Sequence, residues 1–211
     1  MVRVKICGIT NLKDAQTAVS YGAWALGFVF YKKSPRYISP QKAGAIIKKF
    51  PPFVTSVGVF VNEGKKSIEA VCEEAGIRTI QLHGDEPPDF CGTFPGYKII
   101  KAFRVGNSFH LKKILTFDVN AYLFDTYQEK FFGGTGKTFH WEILKGKNFK
   151  KPFILSGGLN PENIKSALRI LRPFAVDVSS GVEKRPGLKD HGLMRDFFIV
   201  SETESFPHVI K

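Results

Sequence analysis

Cysteine is scarce in this chain of 211 residues: there are three, Cys7, Cys72 and Cys91. An odd and small number excludes a disulfide framework, and the spacings match no zinc pattern. A reduced, cytoplasmic protein with no bound metal is expected. Long apolar runs are missing too. No segment approaches the roughly 18–20 residues that span a bilayer, so no membrane partner is expected. The opening Met1-Val2-Arg3-Val4-Lys5 has no apolar stretch behind it that would make a secretory signal, and reads instead as the start of a strand. Low-complexity segments and linkers are absent, and this length suits a single domain over residues 1–211.

Negative charge is also in short supply. Nineteen acidic residues face 31 basic ones, a formal net charge of +12. Nucleic-acid binding, attraction of an anionic small substrate and plain solubility all account for such a surplus. The lysines are spread over Lys32-Lys33, Lys48-Lys49, Lys65-Lys66, Lys112-Lys113 and the stretch from Lys145 to Lys151. No arginine-rich or aromatic-interleaved recognition module accompanies them. That favours a solvated surface and gives no reason to expect a nucleic-acid partner.

What the chain does have is alternation. Hydrophobic residues make up 43% and charged residues 24%, enough to bury a sizeable core. Eight β-branched or aromatic runs recur: Val2–Ile9, Ala25–Phe30, Thr55–Val61, Thr79–His83, Lys98–Arg104, Ala121–Asp125, Pro152–Ser156 and Ala175–Ser179. Runs apolar on both faces suit strands buried in a parallel sheet. Amphipathic stretches separate them. Asn11 caps one, Ser39-Pro40 opens a second, Lys65 to Gly76 forms a third, Asn160-Pro161 opens another, and Asp190 to Val200 is the last. After strands four and five (Pro87–Phe94 and Asn107–Leu115) the pattern is weak, and reduced helices are expected there. Residues 205 to 211 are expected to fray. Eight units of near-equal length predict an α/β fold, a (β/α)8 TIM barrel, over the alternative of a doubly wound open sheet.

In such barrels the site forms at the C-terminal ends of the strands. Cys7 falls at the end of strand one. On position alone a buried, inert cysteine is a better reading than a catalytic one. Lys5 shares its face of the strand, ~7 Å away, where a cation favours a thiolate. Asp125 closes strand six behind Tyr122-Leu123-Phe124; a carboxyl there is costly unless paired or functional, and is a candidate general acid. Arg36, in Ser34-Pro35-Arg36-Tyr37, can fork onto a carboxylate or simply sit exposed in its loop. His83 and Asp177 are candidate substrate contacts, or else a hydrogen-bonded barrel histidine and a structural inward carboxylate. Gly157 and Gly158 after strand seven, with Ser179, Ser180 and Gly181 after strand eight, occupy the recurrent phosphate position of these barrels. Tight turns needing positive φ would explain one such glycine loop by itself, but two in this pair of loops favour a phosphate site. Gly133 and Gly134, in Gly133-Gly134-Thr135-Gly136-Lys137, form either a lid or a flexible turn.

These segments together resemble the N-(5'-phosphoribosyl)anthranilate isomerase family of tryptophan biosynthesis. The matching motifs are Lys5-Ile6-Cys7-Gly8-Ile9-Thr10, Ser34-Pro35-Arg36, Gln81-Leu82-His83-Gly84-Asp85-Glu86, Leu123-Phe124-Asp125, Gly133-Gly134-Thr135-Gly136, Ser156-Gly157-Gly158-Leu159 with Asn163, and Asp177-Val178-Ser179-Ser180-Gly181-Val182-Glu183 with Pro186-Gly187 and Lys189-Asp190. They run in order from residue 3 to about 198. The resemblance implies an Amadori rearrangement without metal or organic cofactor. Asp125 would protonate the ribose ring oxygen, Cys7 would take the C2' proton, Arg36 would hold the anthranilate carboxylate, and the glycine loops would hold phosphate. The expected partner is this small phosphorylated substrate, and the chain is expected to be a monomer or homodimer. One departure is His140, in Phe139-His140-Trp141, where the family usually has Asp; a weaker helix cap, by ~1 kcal/mol, is expected. A sugar-phosphate isomerase of histidine biosynthesis is the competing enzyme, but that family uses a carboxylate where Cys7 stands.

Overall fold

The computed structural model describes residues 2–106, 110–126 and 141–203. Eight parallel strands close a barrel in chain order: β1 (Arg3–Cys7), β2 (Ala25–Val29), β3 (Thr55–Phe60), β4 (Thr79–Leu82), β5 (Lys98–Val105), β6 (Ala121–Thr126), β7 (Phe153–Leu155) and β8 (Ala175–Val178), with β8 returning to pair with β1. The open sheet is excluded by that last pairing. Strand one ends two residues earlier than expected because Gly8 takes φ +78°, which turns the chain out of the sheet.

Helices α1 (Leu12–Ser20), α2 (Pro40–Ile47), α3 (Lys65–Ala75), α4 (Pro88–Cys91), α5 (Leu111–Ile114), α6 (Ile164–Leu171) and α7 (His191–Glu202) ring the barrel. Asn11 and Ser39 accept hydrogen bonds from Asp14 N and Lys42 N, so both expected caps form, and Gly76 ends α3 in the left-handed region. Helices α4 and α5 are single turns, as expected. The helix expected from Asn160-Pro161 starts instead at Ile164. Asn160 turns its own side chain back onto Glu162 N and Asn163 N, which holds a tight turn in place of the first helical residues. After β8 a 3-10 turn, Ser180–Val182, leads into a hairpin, β9 (Glu183–Arg185) and β10 (Leu188–Lys189), that no expectation covered.

Alternation along the strands sorts the core into two layers. Ile6, Leu26, Phe28, Ile80, Tyr122, Phe124 and Val176 pack outward under the helices; Val57, Ile100, Ala102, Leu123, Ile154 and Ala175 fill the barrel. Where the flanking helices shrink, aromatic rings take their place. Phe103, Phe117, Phe124, Phe149 and Phe153 pack outside β5 to β7 with neighbouring centroids as close as 4.9 Å. Above the apolar filling, toward the C-terminal strand ends, the interior turns polar.

Candidate active site

Cys7 is the last residue of β1 and points into the barrel beside Val29 and Val59. Gly27 on β2 makes room for it: a Cβ there would stand 2.7 Å from Cys7 Sγ and 3.1 Å from Lys5 Nζ. A glycine inside a strand is the sequence signal for such a close approach. Lys5 donates to Asp177 Oδ1 at 2.8 Å, and Asp177 Oδ2 accepts from Ser156 Oγ at 3.3 Å. Burial works against the Lys5 charge, but Asp177 and then Cys7 outweigh it and hold the ammonium above its ordinary value. The thiol behaves differently from expectation. Burial pushes it up, Lys5 and Lys189 pull it down, Asp177 pushes it up again, and burial wins. Lys5 is the strongest of the influences that pull the thiol down, but it does not overcome burial.

Three steps around the ring, Asp125 occupies an inward position on β6, level in register with Asp177 and Lys5. Its Oδ2 lies 3.0 Å from His83 Nε2, and Gln81 Nε2 lies 2.8 Å from His83 Nδ1. With the Gln81 amide donating to Nδ1, the imidazole carries its proton on Nε2 and donates it to Asp125. His83 thus holds the carboxylate.

Arg36 lies across Gly8, whose absent side chain is required: a Cβ would meet Arg36 Cδ at 2.7 Å. The fork of Arg36 is already engaged. Nε and Nη2 donate to Glu183, the shortest at 2.7 Å. Glu183 Oε1 also accepts from Lys189 Nζ at 2.9 Å. Burial works against the Glu183 carboxylate, but Arg36 and Lys189 hold it below the ordinary range. Lys189 spends its other two protons on Cys7 O at 2.6 Å and Ser179 O at 3.1 Å. Burial draws this ammonium below its ordinary value, and Glu183 offsets only part of that.

The two glycine loops meet beside this cluster. Gly157 and Gly158 take φ +87° and +69°, so turn geometry alone accounts for both glycines. Asn163 braces the turn by donating to Gly158 O. A Cβ at Gly181 would fall 1.8 Å from Leu159 O, so that glycine lets the two loops touch backbone to backbone. Ser180 opens the 3-10 turn. Ser179 Oγ at this rim, and Gln81 Oε1 beside His83 on β4, are buried polar atoms with no partner among the described residues. Gly133, Gly134 and His140 lie outside the described residues.

The strand ends therefore gather Cys7, Asp125, His83, Asp177, Arg36, Ser179 and the glycine loops. Glu183 and Lys189, which the sequence reading quoted only within a motif, join them. Cys72 and Cys91 do not: they sit on α3 and α4 with thiols that burial pushes up to about 12 and about 11. Among the described residues no three His, Cys, Asp or Glu side chains cluster to hold a metal, and no helix is long and apolar enough to cross a membrane.

A thiol, an imidazole-bound carboxylate and buried cations thus gather at the C-terminal strand ends of a (β/α)8 barrel, where enzymes of that class carry their active sites. A model of the family described as N-(5'phosphoribosyl)anthranilate (PRA) isomerase matches residues 4–200. The N-(5'-phosphoribosyl)anthranilate isomerase of Geobacter sulfurreducens is 48% identical over 197 residues, 93% of this chain and 97% of that one. That of Thermotoga maritima is 50% identical over 199 residues, again 93% and 97% of the two chains. A crystal structure of the Thermotoga maritima enzyme superposes with a TM-score of 0.89 at 48% identity, covering 97% of this chain and all of that one. The chain belongs to the N-(5'-phosphoribosyl)anthranilate isomerase family.

Proposed function

We propose that this chain converts N-(5-phosphoribosyl)anthranilate to 1-(2-carboxyphenylamino)-1-deoxyribulose 5-phosphate in tryptophan biosynthesis, with Asp125 as acid and Cys7 as base. The observation that carries this reading is the placement of the thiol and the carboxylate, both buried and inward-facing, on strands three steps apart around one barrel mouth. A ligand between them is addressed from two sides. Asp125, entering this step protonated on the oxygen that His83 does not hold, gives that proton to the ribose ring oxygen and is left as the carboxylate that His83 holds; the C1'–O bond breaks as the anilino nitrogen forms the iminium. The Cys7 thiolate then takes the C2' proton, and that electron pair neutralises the iminium to give an enolamine, which tautomerises to the ketone. No electrons leave the substrate.

Burial keeps the Cys7 thiol up, so the base needs help, and the substrate brings it. The iminium is a positive charge delivered into a water-poor site close to the sulfur, where it favours the thiolate most strongly. Lys5 adds to this effect, and Asp177 acts by holding Lys5. His83, by donating to Asp125, fixes which carboxyl oxygen faces the substrate. Arg36 takes the anthranilate carboxylate. Gly157, Gly158, Ser179, Ser180 and Gly181, with Gly133 and Gly134 beyond the described residues, take the phosphate. The unpartnered Ser179 hydroxyl supports a ligand at this rim, and one solved relative was crystallised with reduced 1-(o-carboxyphenylamino)-1-deoxyribulose 5-phosphate (TM-score 0.84, 44% identity, 97% of this chain and all of that one). The test is an assay that follows loss of phosphoribosylanthranilate fluorescence. Turnover is expected from the wild type, and its absence in folded protein would refute the assignment.

A further inference from the structure

Arg36 poses a problem. A guanidinium that reads a substrate carboxylate is expected to present its fork, yet here both arms of one edge grip Glu183. Glu183 is itself shared with Lys189, and Lys189 is almost wholly enclosed, with each of its three protons on a different acceptor. A buried ammonium satisfied by three fixed acceptors cannot swing toward a ligand without breaking all of them. These contacts join parts of the chain that share no sequence neighbourhood: the loop after β2 through Arg36, the hairpin after β8 through Glu183 and Lys189, and the end of β1 through the carbonyl of Cys7.

We propose that Glu183 and Lys189 are positioning residues, Glu183 clamping the inner edge of Arg36 so that its outer nitrogen, Nη1, meets the ring carboxylate of the substrate, and Lys189 tying that clamp to the backbone of Cys7. This rests on the reading of Arg36 as the carboxylate contact. Its consequence is that the distance from carboxylate to base is set by one rigid chain of bonds, so recognition of the carboxylate and placement of the sulfur are one adjustment. Two features support the clamp. Gly8 leaves Arg36 lying directly over the turn that follows Cys7, where a Cβ would displace it. Gly187 N also donates to Glu183 Oε1 at 3.3 Å, which fixes the carboxylate from the hairpin side as well.

The experiment measures binding of reduced 1-(o-carboxyphenylamino)-1-deoxyribulose 5-phosphate and of the same compound lacking the ring carboxyl, to the wild type, E183Q, E183D and R36Q, with kcat and KM alongside. E183Q turns an amide N–H toward Arg36, and E183D keeps the charge but falls one methylene short. Both are expected to lose about ten- to hundredfold on the carboxylated ligand, the scale of a charge-assisted contact, while the decarboxylated ligand changes less than about twofold. A purely electrostatic role predicts the opposite: E183Q, with one negative charge fewer, would tighten the carboxylated ligand and E183D would be silent. That pattern, or an equal loss on both ligands, overturns the clamp. E183D carries the test if E183Q does not fold. If R36Q leaves the preference for the carboxyl intact, the carboxylate reading of Arg36 has failed, whatever Glu183 does. K189M is expected to lower kcat at least tenfold with a smaller change in KM; a change in KM alone would overturn its tie to Cys7.

Discussion

Cys7 is held from two flanks, and the flanks are built on different plans. On one, Lys5 faces the sulfur and has Asp177 as its own counter-ion; on the other, Lys189 faces the carbonyl of Cys7 and shares Glu183 with Arg36. Both lysines are buried to the same degree, yet they depart from ordinary lysine in opposite directions: Lys5 is held up and Lys189 is drawn down. The difference lies in the partners. A cation with a private anion beside a second ionisable group gains more than burial takes. A cation that must share its anion with a guanidinium does not. Burial alone therefore says little about a buried charge; the ownership of its counter-ion decides.

The largest expected effect tests whether the group between the flanks matters at all. C7A, and D125N across the barrel, should each lower kcat by about 10²–10⁴-fold, the range of a lost acid or base, with unchanged far-UV circular dichroism. Retention of near-wild-type turnover by either variant would remove that residue from the mechanism. Next comes the stability of the two flanks. D177N strands Lys5 in the interior and should cost about 3–5 kcal/mol in urea unfolding, more than E183Q, which leaves Lys189 two carbonyl acceptors. Equal losses would mean that the private and shared arrangements are equivalent.

A smaller effect is one of pH. Because the thiol is held above its ordinary value, kcat/KM should climb as pH rises into the alkaline range. K5M removes a cation that pulls the thiol down and leaves Asp177 to push it up, so the rise should move to higher pH. Iodoacetamide alkylation of Cys7 as a function of pH reads the same shift, and an unmoved profile would leave Lys5 without a role. The smallest effect concerns the cysteines outside the site. Unfolded thiols ionise near pH 8.5, whereas Cys72 and Cys91 in the fold wait until about 12 and about 11. Between these limits the unfolded state binds fewer protons, so stability falls as pH rises. Melting temperature should therefore drop above about pH 9, less steeply in C91A; an unchanged slope in C91A would count against buried Cys91 as a contributor.

The sequence revealed what depends on near neighbours. The barrel came from the spacing of apolar runs, α1 and α2 from Asn11 and Ser39-Pro40, and the short α4 and α5 from weak patterning. Cys7 and Asp125 could be singled out because a strand-end position is a local fact. What escaped was set by pairings between distant segments. Arg36 looks like an exposed loop arginine until Glu183, 147 residues away, arrives on a hairpin. Lys189 reads as one lysine among many, since nothing around it announces burial. Lys5 was legible as a neighbour of Cys7, but its pairing with Asp177 depends on the pairing of β1 with β8, and the burial that outweighs it at the thiol depends on closure of the whole barrel. Asn160 misled for the converse reason. Its side chain found a local turn that competes with the helix start.

The hydrogen bond from Lys189 to the carbonyl of Cys7 spans 182 residues, and this has a consequence for the order of assembly. A ribosome releases residue 7 long before residue 189. A nascent chain exposed only through β7 has its base and its acid, yet lacks Asp177, Glu183 and Lys189 and cannot hold Cys7 from either flank. Ring closure by β8 and docking of the hairpin then follow the earlier strands, with the longest loops to close. Catalytic competence should arrive only once Lys189 has emerged.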